Sequence, residues 1–265
     1  MNLLPNLTKA RILPIIRSKK PLVRGSKMAF LLPLILCCSG FSIVPASAGN
    51  LDVQSGASIK SSVSETKDGK SFIQGIVSKI GRLNDYIFDS EVKTYKSPGG
   101  KPKVEKGKFF YKRNHLIRIL VTASGRKNGT VVVRRKDGQV RVKGGPALFG
   151  LTMTLSENSR LLNTASGRSV LKSDLFSVMG QLARENSSGF QSVVSSRPVA
   201  INSQNLLVFD LMDKSGNLLM DRVLVNPSTS MPVEWIRYKN GKLFADVKIK
   251  NLKLNPGLDD KLFEL

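Results

Sequence analysis

The segment Asn205–Leu254 constrains the fold more than any other part of the chain. It contains four stretches of strand-forming residues separated by turns of defined chemistry: Lys214-Ser215-Gly216-Asn217, Asn226-Pro227-Ser228-Thr229 and Asn240-Gly241. Asn-Gly between alternating strands signals a type I′ turn, whose two central residues both need positive φ. Connections this short make neighbouring strands antiparallel, so the segment reads as a meander. In Leu218–Val225, Leu219, Val223 and Val225 share one face, while Leu218, Met220 and Leu224 share the other. A sheet with one wet face would alternate with polar residues. Both faces here therefore need cover, one from the curved sheet itself and the other from a helix. Val247 and Ile249 are in phase, but Leu252 and Leu254 are shifted by one position. That slip predicts a β-bulge at Lys250 or Asn251, and bulges bend sheets.

The N-terminal part has a different character. Residues 1–27 hold seven Lys/Arg and no acid; Met28–Val44 is apolar, and Ala46-Ser47-Ala48 precedes Gly49. This is the pattern of a secretory signal peptide, residues 1–48. Export to a periplasmic or extracellular space follows. The alternatives are an uncleaved anchor or lipid attachment at Cys37 or Cys38, the only two cysteines. Leu36 before Cys37 is a poor match to the small residue that a lipid-attachment site prefers. Cleavage after Ala48 leaves no thiol for a disulfide, a nucleophile or a metal. It also leaves 35 basic against 19 acidic residues, a net charge of +16. Outside the cytoplasm, so basic a chain has anionic membrane or cell-wall surfaces as natural partners. Sparse aromatics and the lack of any recognisable motif argue against nucleic acid.

Residues 49–70, rich in Ser, Gly and Lys, read as a flexible linker before a domain over 71–265. Phe72, Ile73, Ile76, Val77, Ile80 and Leu83 recur at helical spacing and predict a helix over Ser71–Asn84, capped by Ser71. Strands are expected at Tyr86–Tyr95, Gly107–Lys112 and His115–Ala123, with Ile117, Ile119 and Val121 on one face. Val131–Lys136 and Gln139–Lys143 flank Asp137-Gly138 as a hairpin. A two-residue turn there puts Val131 and Val133 on one face and Arg134, Lys136, Arg141 and Lys143 on the other, with Arg134 opposite Arg141. Like charges so placed repel, and the face is either solvated or a basic platform for an anionic surface. Leu148–Leu155 reads as a buried strand or a tucked loop. A second helix is expected within Arg168–Glu185, where Leu171, Leu175, Val178 and Leu182 form the stripe and Ser169 or Ser173 caps it. It either crosses the open side of a half-closed barrel or is a plain packing helix.

Catalytic constellations are not recognisable. His115, the only histidine, has no nucleophile-and-orienter set around it and reads as a packing or edge residue. Asp259-Asp260 reads as a polar turn and lacks EF-type calcium spacing. Gly144-Gly145 runs into Pro146 and lacks the lysine of a phosphate loop. Asn128-Gly129-Thr130 reads as a turn. No enzyme activity, cofactor or metal is expected.

The closing runs Ser230-Met231-Pro232-Val233-Glu234-Trp235, Tyr238-Lys239-Asn240-Gly241-Lys242-Leu243 and Asn255-Pro256-Gly257-Leu258-Asp259-Asp260-Lys261-Leu262-Phe263 resemble the end of LolA-like periplasmic proteins. Gly107-Lys108-Phe109-Phe110-Tyr111-Lys112 onward is similar to a branch of that superfamily. The resemblance spans 71–265 and implies an α+β fold, an incomplete, strongly curved antiparallel β half-barrel with helices covering the concave side. It implies a carrier or receptor whose hollow takes the acyl chains of a lipid or lipoprotein, and the chain is expected to act as a monomer. The alternative it leaves open is a non-carrier, stress-sensing module that contacts anionic surfaces through its basic strands. The residues expected to line the hollow are Ile117, Ile119, Val131, Val133, Leu175, Val178, Met179, Leu182, Val223 and Trp235.

Overall fold

A computed structural model describes residues 66–97, 99–123 and 127–265. The signal region 1–48 and most of the 49–70 linker lie outside the described residues. The last five linker residues do not: Thr66–Asp68 is a short strand, β1, and helix α1 runs Gly69–Gly81. Asp68, not Ser71, caps it, its carboxylate accepting from the amides of Lys70 and Ser71. Strands β2 (Asp85–Thr94), β3 (Lys103–Lys112), β4 (Leu116–Ala123), β5 (Val131–Arg134), β6 (Val140–Lys143) and β7 (Thr152–Leu155) follow. Helix α2 spans Leu175–Ser187. Then come β8 (Gln191–Ser195), β9 (Val199–Ile201), β10 (Gln204–Met212), β11 (Leu219–Asn226), β12 (Met231–Lys239) and β13 (Lys242–Leu254).

All these strands pair antiparallel in one sheet, in the order β1-β8-β10-β11-β12-β13-β2-β3-β4-β5-β6-β7, with β9 added beside β10. The two ends, β1 and β7, do not meet, so the sheet curves without closing. The β10–β13 meander is as the turn chemistry predicts. Asn240 and Gly241 take φ of 52° and 70° between the paired Lys239 and Lys242, as a type I′ turn requires. The expected bulge is present: the β13–β2 register shifts between Lys250 and Lys253, and Asn251 sits at φ 53°. Further shifts at Leu211/Met212, Leu224/Val225, Arg237/Tyr238 and Lys106/Gly107 spread the bending over the sheet.

The concave face carries the main core. α1 buries Ile73, Ile76 and Ile80, and packs on α2 and β8. The convex face has a cover that the sequence did not reveal. The C-terminal segment folds back, and Phe263 is buried against Leu116 and Val133. Three cations hold its main chain: Lys112 Nζ donates to Leu258 O (2.7 Å), Arg118 to Leu262 O (2.9 Å) and Arg141 to Leu265 O (3.0 Å). Asp85, itself buried, accepts from the amides of Gly257 and Leu258 and fixes where the segment leaves β13.

Two sequence expectations are corrected here. The Asp137-Gly138 hairpin pairs Arg134 with Val140 and Val133 with Arg141. Its turn holds three residues, Lys136-Asp137-Gly138, with Gly138 at φ 79°. One extra turn residue shifts the register by one, and period-2 alternation then changes which side chains share a face. Leu148–Leu155 is not a buried strand. Only Thr152–Leu155 forms β7, and it lies at the sheet's edge with Leu151 and Met153 exposed.

α2 starts later than its apolar stripe suggests, because Ser169 caps a separate 3-10 turn over Val170–Lys172. Its own cap is Asp174, fully buried, whose Oδ1 accepts from Ser177 N (2.9 Å) and from the Tyr86 hydroxyl (3.3 Å). Tyr86 in turn accepts from Leu175 N at 3.1 Å, so one strand residue and one cap fix the helix on the sheet. Replacing Asp174 with Ala should lower stability by about 1–2 kcal/mol, the range for a lost N-cap. An unchanged urea midpoint would show that the cap contributes nothing.

Candidate functional site

Between the concave face and α2 lies a cavity of about 330 Å³. Pairing between β2 and β3 explains why it is there. Tyr86 stands opposite Tyr111, Phe88 opposite Phe109, Ser90 opposite Gly107 and Val92 opposite Glu105. The tyrosine rings stack at 4.6 Å and the phenylalanine rings at 5.1 Å, filling the space under α2. At the next pair the side chains shrink to a hydroxymethyl group and a hydrogen, and the Ser90 hydroxyl is occupied by Gly107 O at 3.2 Å. The aromatic ladder stops there and a hollow begins.

The walls follow from period-2 alternation. Val92 continues β2, Ile119 and Val121 come from β4, and Val247 and Ile249 from β13. Val132, Val142 and Leu155 supply the far wall from β5, β6 and β7. The roof has two parts. One is α2, through Leu175, Val178 and Met179; the other is an irregular strap over Leu161–Val170. The strap is tied to the sheet where Ala165 N donates to Glu105 Oε2 at 3.1 Å, beside Lys103.

One boundary of the hollow is charged. Trp235 lies there with the Arg168 guanidinium 5.2 Å from its ring centre and that of Arg237 at 5.4 Å. Arg168 Nε donates to Lys172 O (2.9 Å), and burial together with Arg237 lowers its pKa from the ordinary arginine value. Asp221 is 2% exposed; it accepts from Trp235 Nε1 at 2.8 Å and lies 3.3 Å from Arg237 Nε. Burial raises its pKa to about 6, with Arg237 and Trp235 holding it back. Glu234, on the neighbouring residue of β12, rises to about 7 through burial and the adjacent Asp246.

Of the residues expected to line the hollow, Ile119, Leu175, Val178, Met179 and Trp235 do. Ile117, Leu182 and Val223 are buried in the surrounding core and do not reach its surface. Val131 and Val133 are corrected. They sit on the convex face under Phe263, because it is Val132 that pairs with Ile119 and Val142. The shared basic face is corrected by the same register. Arg134 lies on the concave side, bonded to Glu157 (2.7 Å) and His115 O (2.9 Å). Arg141 and Lys143 lie on the convex side, Arg141 serving the C-terminal segment, and Lys136 is in the turn. Phe88, Phe109, Ser90, Gly107 and Arg168 were not singled out in the sequence. The first four were legible in principle from the alternation of β2 and β3; the strap that carries Arg168 has no periodicity to read.

A single curved antiparallel sheet with unpaired ends, bent around a hollow and roofed by a mid-chain helix, decides the architecture. The fold is α+β, an open, curved antiparallel half-barrel with helices on its concave side. No protein-family model matches the chain, and no curated protein does. Solved structures of similar fold include a LolA superfamily protein from Nitrosomonas europaea, at 17% identity and a TM-score of 0.35, covering 73% of this chain and 97% of that one. Lipoprotein LppX from Mycobacterium tuberculosis is similar at 10% identity and a TM-score of 0.42, covering 72% and 97%. MucB in the Pseudomonas aeruginosa MucA/MucB complex is similar at 12% identity and a TM-score of 0.43, covering 75% of this chain and 61% of the other. Among the described residues of the half-barrel, no group of three or more His, Cys, Asp or Glu side chains is placed to hold a metal, and no helix is long and apolar enough to cross a membrane.

The raised carboxyl pKa of Asp221 has a definite sign. The folded state holds its proton above pH 3.8, where the unfolded chain has released it, so the contribution is fully present below 3.8 and lost as pH rises through about 6. The stability of the wild type minus that of Asp221→Asn should therefore fall across this window. Urea titrations of both proteins at several pH values check it, and parallel curves would refute the assignment.

Proposed function

We propose that this chain is an exported binding protein whose half-barrel holds the acyl chain of a lipid or a lipidated protein. The observation that carries this reading is the hollow itself: about 330 Å³ of space, walled by valine, isoleucine, leucine and phenylalanine side chains. Interiors pack close to crystal density, so a void of this size forfeits contacts unless a guest supplies them. Its volume falls at the low end of the roughly 300–1,000 Å³ found for small-molecule sites. The affinity would come from apolar burial, about 0.8 kcal/mol per methylene. Export rests on the signal pattern of residues 1–48, and action as a monomer in the periplasm or outside the cell is part of the same proposal.

Solvent extraction of the purified protein, followed by lipid mass spectrometry, tests this directly. Acyl lipid should be recovered, or a fluorescent fatty acid should bind the extracted protein. Ser90→Phe extends the ring ladder into the hollow opposite Gly107 and should cut bound lipid by about tenfold or more, since each excluded methylene forfeits its burial. Circular dichroism would confirm that the variant is folded. A wild-type protein that neither carries lipid nor takes up the probe would end the proposal.

A further inference from the structure

The described half-barrel has a small set of exposed large apolar side chains; two of them, Met153 and Leu161, line the hollow, and two more, Phe149 and Leu151, precede Met153 in the chain. β7 and the loop before it present an ordered gradient. Leu155 lines the hollow and is half-buried; Met153 also lines it and is 43% exposed; Leu151 is 64% exposed and Phe149 91%. Leu151, Met153 and Leu155 share one face by strand alternation. The apolar track therefore leaves the cavity and continues onto the surface without a polar interruption on that face. Leu161, 69% exposed, lines the hollow from the strap.

Phe149 is held in an unusual way. It adopts φ 53° directly before Gly150 at φ 64°, with its amide bonded to Pro146 O at 3.0 Å. A bulky residue rarely occupies the left-handed region, and its ring is displayed rather than tucked into the core. β7 is also a sheet end whose sequence, Thr-Met-Thr-Leu, has neither proline nor charge, the usual protections of an exposed edge.

The surroundings are basic. Lys127 and Lys106 line the hollow, Arg160 precedes Leu161, and Lys143 lies beside Gly150. Three of the acids on this side are engaged: Glu157 by Arg134 at 2.7 Å, Glu105 by Lys103 at 3.2 Å, and Glu91 by Lys93, Lys106 and Lys250. Apolar side chains flanked by Lys127, Lys143 and Arg160, which form no ion pair among the described residues, match the interface of a bilayer that carries anionic headgroups.

We infer that Phe149, Leu151, Met153 and Leu161 form a docking tip that inserts shallowly into an anionic lipid surface and sets the mouth of the hollow against it. The penetration is shallow because the outer edge of β7 has backbone donors and acceptors that need headgroup or water partners. The purpose of the tip, transfer of an acyl chain along the exposed track, rests on the lipid-binding reading above; the docking itself does not.

The full chain carrying Phe149→Trp supplies a local probe, with wild type, whose single tryptophan is Trp235, as the blank. Vesicles of mixed phosphatidylglycerol and phosphatidylcholine with brominated acyl chains should quench the new emission. Vesicles of phosphatidylcholine alone should require about tenfold or more higher lipid concentration, since each cation near an anionic surface adds its own share of affinity. Adding Leu151→Asp to the probe should abolish quenching. Emission that stays unquenched on anionic vesicles, equal quenching by both compositions, or quenching that survives Leu151→Asp would each overturn the inference. So would concentration-dependent protection of residues 152–155 from hydrogen exchange without vesicles, which would assign the edge to a second copy of the chain. Quenched emission in a protein that carries no extractable lipid would uphold the docking tip while removing the carrier reading.

Discussion

The seam between β13 and β2 holds the architecture together. The chain makes one block of strands before α2 and another after it, and each alone would be an open sheet with an exposed edge. Pairing of Ala245–Leu254 with Tyr86–Thr94 joins them into a continuous surface. The register shift inside that seam, at Asn251, bends the sheet where the two blocks meet. Asp85 and Asn255 extend the junction, through the bond from Asn84 N to the Asn255 side chain and from Asn255 N to Asp85 O. Curvature, concavity and the space beneath the helices all follow from a seam that is long enough to be stable and irregular enough to bend.

Once the sheet is bent, what fills its concave side is decided pair by pair. Two stacked aromatic pairs occupy the region under α2, and Ser90 with Gly107 leaves the next position empty. The cover on the convex side follows a different logic. Arg118, Arg141 and Lys112 donate to main-chain carbonyls of the C-terminal segment, so cations that seem crowded in the sequence are spent on backbone acceptors rather than opposed to each other. That arrangement satisfies carbonyls that would otherwise lose water against the apolar patch of Leu116, Val133 and Phe263.

Local chemistry made much of this readable. The turn at Asn240-Gly241, the slip between Ile249 and Leu252, and the stripes of both helices each have a short-range cause, and the meander and its bulge follow from them. The hairpin at Asp137-Gly138 misleads because Asp-Gly suits a two-residue turn and also a three-residue turn with glycine in the left-handed position. A two-residue turn would put Val131 and Val133 on the concave side and gather four cations on one face; the three-residue turn does neither. Neither the strap over Leu161–Val170 nor the folded-back C-terminal segment has a period, and both are held by contacts to residues far away in sequence. Pattern reading has no purchase on such segments. Helix α2 was visible by its stripe, but its start was set by Asp174 meeting Tyr86, a contact across 88 positions.

The stacked pair Phe88–Phe109 has a geometric consequence. It closes the hollow at one end, while Ser90 and Val92 extend it along the same strand. Four residues of strand span about 13 Å. For the acyl chain proposed above, the rings would act as the stop of a gauge, and any length beyond the hollow would project from it.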